Sequence, residues 1–193
     1  MKSFLYLACA ALFAGMYAVS CQSGNAETSS GHEHDMAMSS ADSIKRGEYL
    51  LNIMGCNDCH TPKVMTAQGP IMDQKRMLSG HPADEALPPV PGPSAWALFA
   101  PGLTASIGPW GTSFAANLTP DETGLGLWTI DNFSKALREG KFKGMDGGRM
   151  ILPPMPWQNY ANLTDEDLAF LWTYLRSIPP VSNVVPAAVP PAM

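Results

Sequence analysis

The sequence predicts a helical domain over residues 42–180, interrupted by a long Pro/Gly-rich insertion at 61–116. Three observations predict it. Three segments carry apolar residues at helical spacing between recognisable caps. The pentapeptide Cys56-Asn57-Asp58-Cys59-His60 follows the first of them. The stretch from Thr61 to Leu118 is punctuated by Gly69-Pro70, Pro88-Pro89, Pro91-Gly92-Pro93, Pro101-Gly102 and Gly108-Pro109, too densely for a helix to propagate.

The first helix is expected from Asp42 to Met54, with Asp42 or Ser43 as N-cap. Ile44, Gly47, Leu51 and Met54 fall on one stripe, with Leu50 and Ile53 beside it. Gly47 costs about 1 kcal/mol relative to Ala inside a helix, which a close crossing with another helix would justify; simple tolerance is the other reading. The second helix spans Thr129–Glu139, capped by Thr129 and stopped by Gly140, with Ile130, Phe133 and Leu137 as its apolar face. The third spans Asp165–Ser177. Thr164 is its cap, and Asp165, Glu166 and Asp167 fill the first turn, where the helix dipole favours carboxylates. Leu168, Leu171, Trp172 and Leu175 form its stripe, and Pro179-Pro180 ends it.

The insertion holds Trp96, Phe99, Trp110 and Phe114. Such aromatics need burial, so the segment reads as ordered and packed around the domain, with room for a short hairpin or helical turn. Residues 181–193 are rich in Pro and Ala and read as a loosely ordered tail.

C-x-x-C-H is the attachment signature of c-type haem. Two thiols at this spacing can add to the two vinyl groups of one haem, and the adjoining His60 then becomes the proximal ligand of the iron. A redox dithiol would not need the histidine. A zinc site would need two further ligands nearby, and no other cysteine lies close. For the opposite side of the iron, Met155 stands in Pro153-Pro154-Met155-Pro156-Trp157, where prolines stiffen the backbone and aim the thioether. Met145 and Met150 lie in or beside a Gly-rich run. His81 is a rival sixth ligand, and core packing is the plain alternative for Met155.

Residues 1–20 have the form of a signal peptide: Lys2, then an apolar run from Phe4 to Phe13 too short to span a bilayer. Ala18-Val19-Ser20-Cys21 resembles a lipobox, with Cys21 the lipidated residue; ordinary signal cleavage nearby is the alternative. Cysteine arithmetic favours lipidation. Of four cysteines, Cys9 leaves with the leader and two go to haem, so Cys21 is left over. Residues 21–41 are polar and Ser-rich and read as a flexible tether. Its tract His32–Met38 has copper-binding side chains but reads more simply as solvated linker. The net charge of −5 argues against nucleic-acid binding. No nucleophile–base pair or phosphate loop supports a hydrolase or kinase.

With C-x-x-C-H, a Pro-rich Met loop and a last helix in this order, the chain resembles class I cytochrome c. The likeness is closest to cytochrome c domains associated with bacterial membrane-bound dehydrogenases. It rests on Arg46–Leu50 leading to Cys56–Pro62, on Asn117–Asp121 with Thr123–Gly126 and Trp128, on Ala136–Gly140, and on Leu152–Trp157 through Leu163–Leu168. The resemblance implies an all-α haem domain whose first and last helices cross near Gly47 and Trp172–Leu175. It assigns Cys56 and Cys59 to thioethers, His60 and Met155 to the iron, and the loop 117–126 to the haem edge. The single C-x-x-C-H implies one haem c. The expected role is carriage of single electrons, not catalysis, in the bacterial periplasm or cell envelope. The expected partners are a dehydrogenase, an oxidase or another cytochrome, with a lipid anchor at the membrane. The rival roles are a haem-based gas sensor or catalyst with an open sixth position, and a copper-handling lipoprotein.

Overall fold

The computed structural model describes residues 38–87 and 96–191, which fall within one unit, Ala37–Met193. The signal segment, Cys21, and residues 32–37 of the His/Met tract lie outside the described residues; Met38 is exposed. No helix among the described residues is long and apolar enough to cross a membrane.

The expectation of an all-α fold is corrected. Among the described residues there are four α-helices, α1 Ser40–Ile53, α2 Cys56–His60, α3 Ile130–Glu139 and α4 Asp165–Ser177, and also two small antiparallel sheets. One sheet is the hairpin of β1 (Lys63–Thr66) and β2 (Gly69–Met72). The other orders β3 (Leu98–Phe99), β4 (Ala105–Gly108) and β5 (Gly111–Phe114). All five strands lie in the insertion. Their physical basis is turn chemistry: each hairpin closes on a two-residue loop, Ala67-Gln68 or Pro109-Trp110, next to a glycine with positive φ, Gly69 or Gly111. Two-residue loops let four-residue strands pair despite the surrounding Pro and Gly.

The core is the packing of α1 on α4. Leu50, Leu51, Leu168, Phe170, Leu171, Tyr174 and Leu175 are buried together with Leu78, Leu125 and Phe133. Each such side chain contributes about 1.5–3 kcal/mol on burial. The expected crossing is present at Gly47. A Cβ built there would lie 2.1 Å from the Phe170 carbonyl oxygen and 2.6 Å from Tyr174 Cβ. Helix α1 begins earlier than expected. Its N-cap is Ser39, whose hydroxyl accepts from the Asp42 amide. Thr129 and Thr164 cap α3 and α4 as expected, and Asn132 completes a capping box with Thr129. Helix α3 reaches the core through Phe133, whose ring lies 5.4 Å from that of Trp172.

Two expectations about the insertion and tail differ from the structure. Trp96 is 76% exposed and Phe99 46% exposed, so these aromatics are not core. Trp110 and Phe114 are partly buried, Phe114 against the ring of His81 at 4.8 Å. The tail through Pro191 is docked. Val189 exchanges both backbone hydrogen bonds with Thr112 on β5, and Asn183 is bonded to Ser79, His81, Ala83 and Thr123.

Candidate haem-attachment site

Helix α2 starts abruptly because Gly55 adopts a left-handed conformation at its N-cap, φ +70°. Cys56 is therefore the first helical residue, and Cys59, three positions on, shares its face. Both thiols are free of disulfide. His60 closes the helix and is 9% exposed.

A lattice of bonds holds this helix from below. Thr61 is fully buried; its hydroxyl donates to Asn57 Oδ1 at 2.8 Å and accepts from the Leu78 amide at 2.9 Å. Asn57 in turn donates to Asn52 Oδ1 at 2.9 Å. The Lys63 ammonium donates to the carbonyls of Asn57, Asp58 and Thr61 at the helix C-terminus, the place where a cation is favoured. Burial lowers the Lys63 pKa, an effect opposed by the nearby Asp58.

The His60 ring has a defined tautomer. Its Nδ1 lies 2.8 Å from the Ala116 carbonyl oxygen, which can only accept, so Nδ1 carries the proton. Nε2 is then the nitrogen with a lone pair. Burial lowers the His60 pKa, partly opposed by the Ala116 bond, and so favours the neutral ring that a metal requires. Burial pushes the Cys56 thiol up to about 11 and raises that of Cys59 as well.

The shift at Cys56 has a pH signature. Folding favours the neutral thiol, so its contribution is whole below the unfolded pKa, about 8.5, and is lost as pH rises towards 11. The haem-free chain should lose roughly 2 kcal/mol more stability across this window than Cys56→Ser, read by urea denaturation at a series of pH values. Parallel curves for the two would remove the effect from Cys56. A thioether has no proton to lose, so haem-linked protein should lack this component.

Met155 lies on an arm anchored at several points. The Ile151 amide donates to the Gly140 carbonyl at 2.7 Å, and Ser113 Oγ donates to the Pro153 carbonyl at 2.6 Å. Trp157 packs so closely on Gly140 that a Cβ there would lie 2.3 Å from the indole. Tyr160 then donates its hydroxyl to the Met54 carbonyl at 3.1 Å, tying the arm to the segment that enters α2. Met155 is partly buried, whereas Met145 and Met150 are 58% and 41% exposed. All three lie in bonded backbone, so what sets Met155 apart is its partial burial.

His81 is differently used. It is fully buried; Nδ1 accepts from the Thr104 hydroxyl at 2.9 Å and Nε2 donates to the Glu85 carbonyl at 3.2 Å. Both ring nitrogens are engaged by protein, so none is left for iron. The Asn117 loop adjoins His60 through Ala116, and its own amide is turned to the tail, donating to Val181 O at 2.8 Å.

The residues fit a c-type haem: two thiols on one helical face, and a buried neutral imidazole with Nε2 as the open nitrogen. Among the described residues no three His, Cys, Asp or Glu side chains converge as a metal-binding group. Sequence reading missed Ser113, Ala116 and Tyr160. All three act on or through backbone carbonyls, which leave no side-chain signature.

Comparison with known proteins places the chain beside cytochromes c. The cytochrome c subunit of gluconate 2-dehydrogenase from Pantoea cypripedii is 33% identical over 142 residues, 72% of this chain and 24% of that protein. The cytochrome c subunit of the quinone alcohol dehydrogenase of Gluconobacter oxydans is 31% identical over 141 residues, covering 72% of this chain and 22% of that one. The fructose dehydrogenase cytochrome subunit of Gluconobacter japonicus is 31% identical over 136 residues, 70% and 21% respectively. The homologues of this chain are thus cytochrome c subunits of bacterial dehydrogenases. The chain spans less than a quarter of the length of these curated relatives. No family model matches it.

Proposed function

We propose that the chain is a monohaem c-type cytochrome that carries single electrons for a membrane-associated or periplasmic dehydrogenase, as its cytochrome subunit or its immediate acceptor. The observation that carries this reading is His60: buried, and with Nδ1 committed to Ala116, beside two free thiols on one helix. Haem bound at these residues supplies a one-electron couple between Fe(III) and Fe(II). Cys56 and Cys59 hold it covalently, His60 Nε2 is the proximal ligand, and Met155 is the distal one. Retention of both axial ligands suits electron transfer and opposes ligand chemistry at the iron. The single C-x-x-C-H supports a count of one haem. Electrons arriving from the dehydrogenase leave to an oxidase or a further cytochrome.

The test is the intact mass and the optical spectrum of protein exported in cells competent for haem attachment. One haem mass added to the polypeptide, abolished by Cys56→Ala with Cys59→Ala, is the expected result. A wild-type protein with no added haem refutes the reading. The same preparations report on the envelope address: residues 1–20 are removed and Cys21 is lipidated, so wild type should partition into detergent and Cys21→Ser into the aqueous phase. Equal partition of the two would remove the anchor.

A further inference from the structure

The docked tail contains one side chain whose bonds converge on the support of His60. Asn183 Nδ2 donates to the Ser79 carbonyl at 2.6 Å and to the His81 carbonyl at 2.9 Å. Its Oδ1 accepts from the Ala83 amide at 3.0 Å, and its own amide donates to Thr123 Oγ1 at 2.9 Å. Both donors of the side-chain amide and one acceptor position are thus engaged by residues 100 to 104 positions away in the chain.

The two carbonyls it holds flank Gly80. The Gly80 amide donates to the His60 carbonyl at 2.8 Å. The next amide, that of His81, donates to Ala115 O at 3.0 Å, and the following residue, Ala116, receives the His60 ring proton. Gly80 sits where no side chain fits: a Cβ would lie 2.5 Å from Ala115 O and 2.6 Å from the Ala116 carbonyl carbon. The His60 backbone is therefore gripped by the segment that Asn183 holds, and its ring by a neighbouring segment tied to that one through the His81 amide.

We propose that Asn183 is a positioning residue for His60: by clamping residues 79–81 it fixes the Ala116 carbonyl against the imidazole Nδ1–H and so sets the orientation and electron-donating strength of the proximal ligand. The inference rests on the proposed role of His60 as an iron ligand. A hydrogen bond from the distant ring nitrogen raises the basicity of a ligating imidazole. Loosening that bond leaves the ring a weaker donor, which favours the reduced iron.

The experiment measures the reduction potential by spectroelectrochemistry and the ferric haem-methyl NMR shifts, which report the plane of the axial ligands. It is run on haem-loaded wild type, Asn183→Ala and Asn183→Ser, with Thr129→Ala as a control that weakens only the cap of α3. Both Asn183 variants should show a higher potential and an altered pattern of methyl shifts, while Thr129→Ala lowers the melting temperature with potential and methyl shifts unchanged. The serine variant gives the readout where the alanine protein does not fold. Asn183 variants with wild-type potential and methyl shifts, or a control that shifts as they do, overturn the clamp and leave the cytochrome reading intact. A wild-type protein without covalent haem overturns both, and the mass measurement separates that case from the other.

Discussion

Met155→Ala is expected to convert a closed haem protein into one with an open site. The ferric protein should lose the weak far-red absorption of a thioether-ligated iron, and the ferrous protein should bind carbon monoxide. The potential should fall by a sizeable part of the roughly 0.8 V that axial ligands command. The expectation rests on the anchoring of the arm: Ser113 on Pro153, Trp157 on Gly140 and Tyr160 on Met54 remain when the thioether is deleted. The empty position should therefore stay empty, with Met145 and Met150, both exposed, failing to replace it. A variant that retains the far-red band would assign the ligand to another residue. A wild type that already binds carbon monoxide readily would favour the gas-sensing alternative.

The second large effect is on folding. Gly47→Ala places a methyl 2.1 Å from the Phe170 carbonyl oxygen, a backbone atom that cannot swing aside. Overpacking of this kind costs about 3 kcal/mol or more, against a gain of about 1 kcal/mol in helix propensity. The net loss of about 2 kcal/mol should lower the melting temperature by roughly 4–8 °C. Calorimetry of the two proteins checks it; equal melting temperatures would show that α1 and α4 can part without loss. Gly47→Leu should be worse still, because no rotamer avoids Phe170 and Tyr174.

What could be read in advance divides along physical lines. Thr129 with Asn132, Thr164 with Asp165–Asp167, and the stripes of α1 and α4 are local signals, and each names its helix. Ser39, Asp42 and Ser43 are all good cap types, and only the bond from the Asp42 amide distinguishes Ser39. A short hairpin is one option expected for the insertion, but its strands cannot be placed from the sequence, because four-residue strands are shorter than the window in which alternation stands out, and Pro109 and Gly111 read as breakers before they read as a turn. Cys56, Cys59 and His60 announce themselves by spacing. Nothing in the residue types of Ala116 or Ser113 tells that one receives the His60 proton and the other holds Pro153. Asn183, in a Pro- and Ala-rich tail, looks like spacer until its partners are seen together.

The short run from Ser113 to Ala116 carries a consequence for the speed of the proposed electron carrier. It anchors the Met155 arm at one end and the His60 ring at the other. Both mounts ride on the same piece of backbone, so thermal displacement of that piece moves them in the same direction. Such common-mode motion leaves their separation nearly constant. A centre whose nuclear framework barely changes between oxidation states has a small reorganisation energy, and its electrons cross to a partner with a low barrier. In the proposed centre the insertion would then act as a mechanical brace, with His60 and the Met155 arm tied to one short run of backbone.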